Sequence, residues 1–514
     1  MHIKLGIPTF QVSQLVIYFL FPLFFVLHGY NENFDVIGWR LVIELLVRYF
    51  VIATVILFFS ILAFKESTKA FILAFFGLSL FFFFGSFHHF LKINFKNQRL
   101  SSYSVLLPLL FIVLIAATII LRKSKNTYTR LASYIKLLIL LLLATEIVVL
   151  SYKSLRPKNL VGSLTSLPVV NERLKTQFVN QPDVFLIVFD GYTSSRCLKK
   201  EFGFDNSSLD SLLTSHKFFV SWSSKSNYNL TPFSIASVLN AAYLKVDSQE
   251  YVISQKDLLS GVNTVKSNWI IPFFRKNGYD VKNFGVFAFE TLKTTSYTYF
   301  GDDYYLAGID DHTLSSRIGR DIGWNCKLKN FFTGEFRIPQ SYFRKKEKYI
   351  DRDRHNYEQL INELQIQTDI PRFIYCHVML PHEPYYFNAN GTLVSDTAIL
   401  LGKINEKSGY INQIQYCNRL LGKIIELSST SSNRKKVVIL MGDHGYRSYP
   451  SKKYRQKTFM NLNCIYSSDG TEGLYDGISP VNSFRFVLNK YFGQALPFLK
   501  DSSIYLVDPK YDIK

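Results

Sequence analysis

Cysteine, methionine and tryptophan are scarce in this 514-residue chain, and charged residues make up only 19% of it. Five cysteines without a C-x-x-C pair exclude a disulfide-dense scaffold and a zinc knuckle. The low charged fraction, beside 48% hydrophobic and 16% aromatic residues, excludes a disordered chain and a solvated coiled coil. A chain of this length is too long for one domain of average size, so we expect at least two regions.

Positive charge is in excess, with 59 Lys and Arg against 39 Asp and Glu and a formal net charge of +20. After Tyr152 the basic residues are scattered, apart from short groups such as Arg344–Lys346 and Lys452–Lys453. No RNP-like, zinc-finger or helix-turn-helix pattern accompanies them, so nucleic acid is not an expected partner. Attraction to an anionic membrane surface or to a phosphorylated substrate accounts for the charge better.

The apolar residues are concentrated in the first 152 positions, in stretches at about 12–29, 41–64, 70–91, 103–121 and 132–152. Each stretch, at roughly 20 residues, is long enough to cross the hydrocarbon core as a helix. The helices of a soluble bundle would carry a broad polar stripe, which these stretches lack. Because only Lys4 precedes the first stretch and no A-x-A exit follows it, we expect a retained anchor rather than a cleaved signal peptide. The sequence therefore predicts a domain of about five transmembrane helices over 1–152.

Flanking charges indicate the orientation of these helices. Lys4 and the basic residues within 65–69 and 122–130 fall on one side, and the lighter load at Arg40 and within 92–99 falls on the other. The positive-inside rule then predicts a cytoplasmic N-terminus. Five crossings place the rest of the chain outside the cytoplasm, as in an integral cell (inner) membrane protein.

From about residue 183 the pattern changes to short apolar runs that alternate with helical spacing. The runs Asp183–Phe189, Phe373–Met379 and Lys436–Met441 are typical of strands buried on both faces of a parallel sheet, and 410–426 has helical spacing. We therefore predict an α/β domain over 183–514 with a mostly parallel sheet between helices. A juxtamembrane connector over 153–182 joins it to the membrane domain.

Polar residues follow each predicted strand: Asp190 the first, His382 the second, and Asp443 and His444 the third. The carboxyl ends of strands in an open α/β sheet are where ligands bind. Taken singly, Asp190 is also typical of a turn at the end of a strand. His382 alone is also typical of a histidine in a turn whose ring is hydrogen-bonded to the backbone. Three such ends together predict a functional site.

Thr231 begins a predicted helix, with Pro232 next to it. One interpretation is structural, since Thr suits the N-cap and Pro the first helical position. The other is functional: a hydroxyl at a helix N-terminus lies where backbone N–H groups and the dipole attract an anion. Such a hydroxyl suits attack on phosphorus, and a divalent cation bound by nearby carboxylates and imidazole would activate it.

These residues resemble the alkaline phosphatase and sulfatase superfamily over about 183–490. Members of that superfamily have an apolar strand ending in an acidic metal ligand, here Leu186–Asp190. Their nucleophile opens a helix of the form C/S/T-x-P-S-R-A-S-x-L, which places Thr231 at the nucleophile. Their D-H-G element is matched by Asp443–Gly445 and their H-x-P-Y element by His382–Tyr385.

The resemblance implies a role for each matched residue. It implies that one divalent metal ion, Zn or Mn, is held by Asp190, Thr231, Asp443 and His444. One ion is expected rather than two, because no D-x-x-x-H pair lies near Pro381. Thr231 would also form a covalent phospho-enzyme, and His382 would contact the substrate phosphate or protonate a leaving oxygen. Lys225 and Tyr228, just before the nucleophile, are candidates for substrate binding.

Thr231 stands where sulfatases carry the Cys that becomes formylglycine, so ordinary sulfate-ester hydrolysis is not expected. A Thr there, after five membrane helices, is similar to lipoteichoic acid synthases and phosphoethanolamine transferases. That resemblance implies transfer of a phosphoethanolamine or phosphoglycerol headgroup from a phospholipid donor to an envelope glycan or lipid acceptor. One alternative is a membrane-tethered phosphatase, phosphodiesterase or atypical sulfatase. Another is a non-catalytic membrane protein of envelope assembly.

Overall fold

The computed structural model describes residues 12–94, 101–155, 181–245, 250–290, 292, 298–319, 340–400, 403–430, 433–449 and 452–508. Most of the predicted connector, at 156–180, lies outside these residues. Four cysteines are described, all of them free thiols and buried: Cys197, Cys376, Cys417 and Cys464.

Five long helices form the N-terminal region: α1 Val12–Glu32, α2 Trp39–Ala63, α3 Ser67–Asn94, α4 Tyr103–Lys123 and α5 Thr129–Ser154. All five contain segments long and apolar enough to cross a membrane. Many of their charged residues lie near the helix ends, such as Lys69 at the start of α3, whereas Arg48, Lys136 and Glu146 lie further in. The predicted set of five apolar helices is confirmed.

Aromatic side chains form much of the contact among α1, α2 and α3. The rings of Phe25 and Phe82 stack with their centroids 4.2 Å apart, and Tyr49 meets Phe82 edge to face at 5.1 Å. Phe21 also meets Phe82 edge to face, with the ring centroids 5.6 Å apart. Such offset and edge-to-face pairs are favourable beyond the area that they bury, so the Phe-rich run in α3 serves helix packing.

Residues from the second half of the sequence group with these helices. The compact unit that holds Met1–Lys158 also holds Asp302–Tyr342, whose described part contains the helices α11 Asp302–Asp310 and α12 Leu314–Arg317. The remaining residues, Asn159–Gly301 and Phe343–Lys514, form a second unit. By its contacts, the described part of 302–342 thus belongs with the helices and not with the rest of 183–514.

Two glycines explain how this segment packs on the helices. A Cβ atom on Gly29 of α1 would lie 2.6 Å from Ile309 Cγ2, and one on Gly85 of α3 would lie 2.8 Å from the backbone of His312. The N–H of Gly85 also donates to the carbonyl of His312 over 2.7 Å. Asp310 accepts a hydrogen bond from the hydroxyl of Tyr49.

The second unit is built on a six-stranded sheet in the order β2-β7-β6-β1-β5-β4. The strands are β1 Asp183–Phe189, β2 Phe219–Val220, β4 Asp280–Phe284, β5 Arg372–Val378, β6 Lys436–Met441 and β7 Asn463–Ser467; β3 Glu250–Val252 and β8 Tyr505–Val507 form a separate pair. The pairs formed by β4, β5, β1 and β6 are parallel, and those of β7 with β6 and β2 are antiparallel. This mixed, mostly parallel sheet confirms the predicted fold class.

Helices accompany the sheet as in other α/β domains. They are α6 Ser195–Cys197, α7 Ser207–Ser215, α8 Thr231–Asn240, α9 Gln255–Lys266, α10 Ile270–Lys276, α13 Gln340–Gln365, α14 Asp396–Leu400, α15 Glu406–Ser429 and α16 Ser483–Tyr491. All ten residues of α8 are buried. This helix is therefore a core element, and its first residue is held in place by packing along its whole length.

The amino ends of the central strands are fixed by buried ion pairs. Arg372, at the start of β5, contacts Asp183 of β1 at 2.5 Å and Glu363 of α13 at 3.1 Å. Arg434 also reaches Asp183, at 3.3 Å. Because these charges are paired, burying them is tolerated. These ion pairs lie only at the amino ends of the strands, so the carboxyl ends are lined by other side chains.

Candidate active site

The register of the sheet brings the predicted ligands to one level. Val188 of β1 pairs with Met441 of β6, so Asp190 and Asp443, each two residues further on, emerge side by side. Asp190, Asp443 and His444 each offer one ligand atom, and these atoms lie within 4.8 Å of one another. All three side chains are buried, with at most 1% exposed. The structure thus brings together the residues that follow the first and the third of the predicted strands.

Thr231 lies at this cluster. Its hydroxyl is 3.3 Å from Asp190 Oδ2 and 3.4 Å from His444 Nε2. The expected N-cap position is shifted by one residue, because the helix begins at Thr231 itself and Leu230 occupies the N-cap without a side-chain bond. The Thr231 hydroxyl therefore does not cap the helix; it faces the carboxylate and the imidazole.

Two further hydrogen bonds fix the geometry around Asp443. Its Oδ1 accepts the N–H of Gly191 over 2.9 Å, which ties the end of β6 to the end of β1. Its carbonyl accepts the hydroxyl of Ser234 over 2.5 Å, which ties it to the first turn of α8. The start of α8 and the ends of β1 and β6 are thus joined by hydrogen bonds that leave the other carboxylate oxygen of Asp443 without a partner.

The ring nitrogen of His444 that faces the cluster carries a lone pair. Its Nδ1 lies 2.7 Å from the carbonyl of Gly445 and donates to it, which leaves Nε2 unprotonated in the neutral ring. Burial lowers the pKa of His444, against the opposing effect of Asp443, and so favours that neutral form. Nε2 then points at Asp443 Oδ2 over 3.3 Å and at Asp190 Oδ1 over 3.6 Å.

These converging acceptors lack the donors that would normally separate them. Among the described residues, Asp190 Oδ1 and Asp443 Oδ2 are buried without a hydrogen-bond partner. Two carboxylate oxygens and an imidazole lone pair at this spacing repel one another unless a cation lies among them. Tetrahedral bonds of 2.0–2.2 Å place ligand atoms about 3.3–3.6 Å apart, and His444 Nε2 lies at this spacing from both carboxylate oxygens. The residues therefore fit a divalent ion with O and N ligands, such as zinc or manganese.

Asp190 is held in its charged form. Burial alone would raise the pKa of Asp190, but the neighbouring imidazoles of His382, His377 and His444 outweigh that effect and keep the pKa below its ordinary value. A carboxylate that stays ionised when fully buried is suited to binding a cation.

His377 was missed by the sequence analysis. It lies in β5 level with Val188, it is fully buried, and its Nε2 is 3.4 Å from Asp190 Oδ2. Its Nδ1 is 2.9 Å from the hydroxyl of Tyr375. A histidine inside an otherwise apolar strand, next to a strand that ends in a ligand, was the available signal.

His382 is held by two contacts at the edge of the site. Its Nδ1 donates to the carbonyl of Glu383 over 2.5 Å, and its Nε2 lies 2.7 Å from Arg447 Nη2. Arg447 was not singled out in the sequence, although it follows His444 by three residues. Since a guanidinium only donates, Nε2 of His382 is the acceptor. As placed here, His382 has no free N–H with which to protonate a leaving oxygen.

The two predicted substrate-binding residues before Thr231 are placed differently. Tyr228 is fully buried, and its hydroxyl donates to the carbonyl of Leu244 over 3.2 Å while it accepts the N–H of the same residue over 2.9 Å. Because both bonds of the Tyr228 hydroxyl are to the backbone of Leu244, that hydroxyl is not available to a substrate. This corrects the expectation that Tyr228 binds substrate. Lys225 is exposed, and its backbone bridges to Met460.

The sequence model of the family described as Sulfatase matches residues 220–463. This range includes Thr231, His382, Asp443 and His444, whereas Asp190 precedes it. No curated protein matches the chain.

Three solved structures are among those to which the fold is similar. The C-terminal periplasmic domain of phosphoethanolamine transferase EptC from Campylobacter jejuni is 16% identical, with 65% of this chain and 94% of that chain covered and a TM-score of 0.35. The soluble domain of lipooligosaccharide phosphoethanolamine transferase A from Neisseria meningitidis is 14% identical, with 68% and 96% covered and a TM-score of 0.36. Phosphonate monoester hydrolase from Silicibacter pomeroyi is 13% identical, with 63% and 76% covered and a TM-score of 0.37. The chain therefore contains an enzyme domain of the Sulfatase family over residues 220–463, and five long apolar helices precede that domain.

Proposed function

We propose that this protein is a membrane-anchored, metal-dependent transferase that moves a phosphoethanolamine or phosphoglycerol headgroup from a phospholipid to an envelope glycan or lipid. The observation that carries the proposal is the position of the Thr231 hydroxyl, buried between Asp190 and His444 at the start of α8. A buried threonine that only capped a helix would have bonded to the backbone of that helix. This hydroxyl is directed at a carboxylate and an imidazole instead.

The residues that would hold the metal are Asp190, Asp443 and His444, with Thr231 as the fourth ligand. When bound, the divalent ion would lower the pKa of the threonine hydroxyl and offset negative charge on phosphorus. Asp190 Oδ2 accepts the hydroxyl hydrogen and so orients the oxygen lone pairs of Thr231 away from the carboxylate. Burial of all four side chains excludes water from the nucleophile.

Transfer then takes two displacements. In the first, Thr231 Oγ1 forms a bond to the phosphorus of the donor phosphodiester, the bond from phosphorus to the diacylglycerol oxygen breaks, and the threonine proton ends on that oxygen. In the second, an acceptor hydroxyl oxygen bonds to phosphorus, the bond to Thr231 breaks, and the proton of the acceptor returns to Thr231. The N-terminus of α8, whose dipole favours negative charge, lies at the reacting phosphorus in both steps.

The apolar helices support a lipid donor, because such a donor is met at the bilayer surface. The proposed topology has a cytoplasmic N-terminus, five crossings and an extracytoplasmic second unit. Single cysteine substitutions test it in intact cells. A membrane-impermeant maleimide should label Lys500→Cys, an exposed residue of the second unit, and should not label Lys125→Cys, between α4 and α5. The reverse pattern, compared with the parent protein, would place the catalytic unit in the cytoplasm.

The transfer reaction is tested with the full-length protein in lipid nanodiscs containing a phospholipid labelled in its headgroup. We expect labelled headgroup on the peptide that contains Thr231, and its loss when acceptor is added. Release of free headgroup to water at the same rate with and without acceptor would indicate a hydrolase instead. Full activity of Thr231→Ala would exclude the covalent mechanism altogether.

A further inference from the structure

Arg447 is a cation at the edge of the site without a counter-charge in its bonds. Nη2 donates to His382 Nε2 over 2.7 Å, and Nη1 donates to the carbonyl of Asn229 over 3.4 Å. Both acceptors are neutral. A guanidinium has five N–H groups, so these two bonds within the described chain leave donors for another acceptor.

Its surroundings place this cation close to the reacting groups. Asn229 is two residues before Thr231, and Arg447 is three residues after His444. Arg447 is half-buried, so its charge is less screened by solvent than that of an exposed arginine.

His382 holds Arg447 in a fixed direction. Because Nδ1 of His382 donates to the carbonyl of Glu383, its Nε2 presents a lone pair to Arg447. This arrangement makes His382 an acceptor, with no donor for an anion, and makes Arg447 the donor. The two residues therefore differ in role: Arg447 can donate to an anion, and His382 orients Arg447.

We propose that Arg447 binds the non-bridging oxygens of the substrate phosphoryl group and that His382 is a positioning residue that orients its guanidinium. This inference deepens the proposed function and rests on it for the identity of the substrate. A planar guanidinium is suited to two parallel bonds to a phosphoryl group. The bond from Arg447 Nη2 to His382 fixes the orientation of the guanidinium plane, and with it the directions of the remaining N–H groups.

The charges favour one class of substrate. Asp190 and Asp443 carry two negative charges, which a divalent ion balances. Arg447 adds one positive charge, which a phosphodiester with its single negative charge neutralises. A phosphomonoester dianion would leave one negative charge uncompensated in a buried site, at a cost in free energy. The site therefore favours diesters over monoesters.

Binding of inorganic phosphate to the metal-loaded full-length protein tests the role of Arg447 without requiring turnover. We expect Arg447→Gln to weaken phosphate binding at least about tenfold, as for loss of a charged hydrogen bond. His382→Gln, which keeps the cation but loses its orientation, should weaken it less. Arg419→Gln is the matched control, because Arg419 is exposed and makes one similar bond of 3.4 Å to a backbone carbonyl. Unchanged phosphate binding in Arg447→Gln would overturn the proposal, as would a larger loss in His382→Gln.

Steady-state kinetics and chemical protection give two further readouts. With a phosphodiester substrate, Arg447→Gln should raise KM, and Arg447→Lys should restore part of the loss, whereas a purely structural role would lower the melting temperature without phosphate. If Arg447→Gln does not fold, the wild-type protein still decides the question: phosphate should protect Arg447, but not Arg419, from an arginine-modifying dicarbonyl reagent. Absence of protection contradicts the role of Arg447. A Thr231→Ala variant that stays active but still binds phosphate through Arg447 would contradict the transfer mechanism alone.

Discussion

The hydroxyl of Thr231 donates to Asp190 Oδ2 over 3.3 Å. Thr231 is the first residue of α8, but its hydroxyl does not cap the backbone N–H groups of that helix. This bond favours the functional interpretation of Thr231 over the structural one. A cap would stabilise α8, whereas a hydroxyl directed at a carboxylate and an imidazole is placed for chemistry.

Thr231→Ala should therefore abolish headgroup transfer while costing little stability. Loss of a nucleophile lowers kcat by more than about 10³-fold, and Thr231→Ser should keep most of the activity. Since no cap is lost, and since the 3.3 Å bond to Asp190 is much longer than the 2.5 Å bond of Ser234, the free energy of unfolding should fall by about 1 kcal/mol or less. Transfer assays and thermal unfolding of the purified variants measure both effects.

Ser254 provides the control for the effect of a cap. It is the N-cap of α9, and its hydroxyl accepts the N–H of Asp257 over 3.2 Å within a capping box. Ser254→Ala should cost about 1 kcal/mol of stability without loss of turnover. If Thr231→Ala instead lost stability like Ser254→Ala and kept its activity, the structural interpretation would be right.

Metal binding should appear as stabilisation of the folded protein. Because Asp190, Asp443 and His444 converge without donors between them, a bound divalent ion relieves their repulsion. An ion at a hundredfold excess over its Kd adds about 2.7 kcal/mol to the free energy of unfolding. Chelation should lower the melting temperature and stop turnover, and zinc or manganese should restore both.

Asp443→Asn tests the proposed metal-binding role of Oδ2 separately from the structural hydrogen bond of Oδ1. Its amide oxygen can still accept the N–H of Gly191, as Asp443 Oδ1 does now, while the position of Oδ2 becomes an NH₂ group. We expect the variant to fold without showing the metal-dependent rise in melting temperature. Asp476→Asn, an exposed carboxylate bonded to Ser223, is the control and should respond to metal like the parent. Equal responses of both variants to zinc and manganese would remove Asp443 from the ligand set.

The sequence was sufficient where a side chain follows a strongly patterned element. The strands before Asp190 and Asp443 were predicted with the bounds that the structure has, because uninterrupted apolar runs define buried parallel strands. Arg447 was missed because its role depends on the approach of His382 from a distant loop, which no local pattern encodes. The expected role of Tyr228 was wrong because proximity in sequence to Thr231 says nothing about side-chain direction.

The segment at 302–319 shows the same limit at the level of domains. Its sequence has no long apolar run, so nothing local connected it with the helices. Its place is set by close backbone approach at Gly29 and Gly85, and glycines within apolar helices are not by themselves a signal of such contact.

Ser234 should couple stability to activity. Its hydroxyl donates to the carbonyl of Asp443 over 2.5 Å and so joins α8 to the ligand loop. Ser234→Ala should cost about 1–3 kcal/mol, because a buried hydrogen bond is lost, and should lower kcat about tenfold or more by displacing the nucleophile. Ser237→Ala is the matched control, since the Ser237 hydroxyl is also buried but bonds only within α8, to the carbonyl of Ser234. A similar fall in kcat for both variants would show that the effect is general to the helix.

Gly85→Leu should detach the segment at 302–319 from the helical unit. A side chain there must displace the backbone of His312, which lies 2.8 Å from the position of a Cβ atom, and backbone cannot yield as a flexible side chain can. Overpacking of this kind costs about 1–3 kcal/mol, so amide hydrogen exchange within 302–317 should become faster. Gly77→Leu, in the same helix, is the control: its nearest neighbour is a side-chain atom, the Cγ2 methyl of Ile56, at 3.3 Å and not backbone. Unchanged exchange in Gly85→Leu, or equal acceleration in Gly77→Leu, would mean that the segment is not held at this glycine.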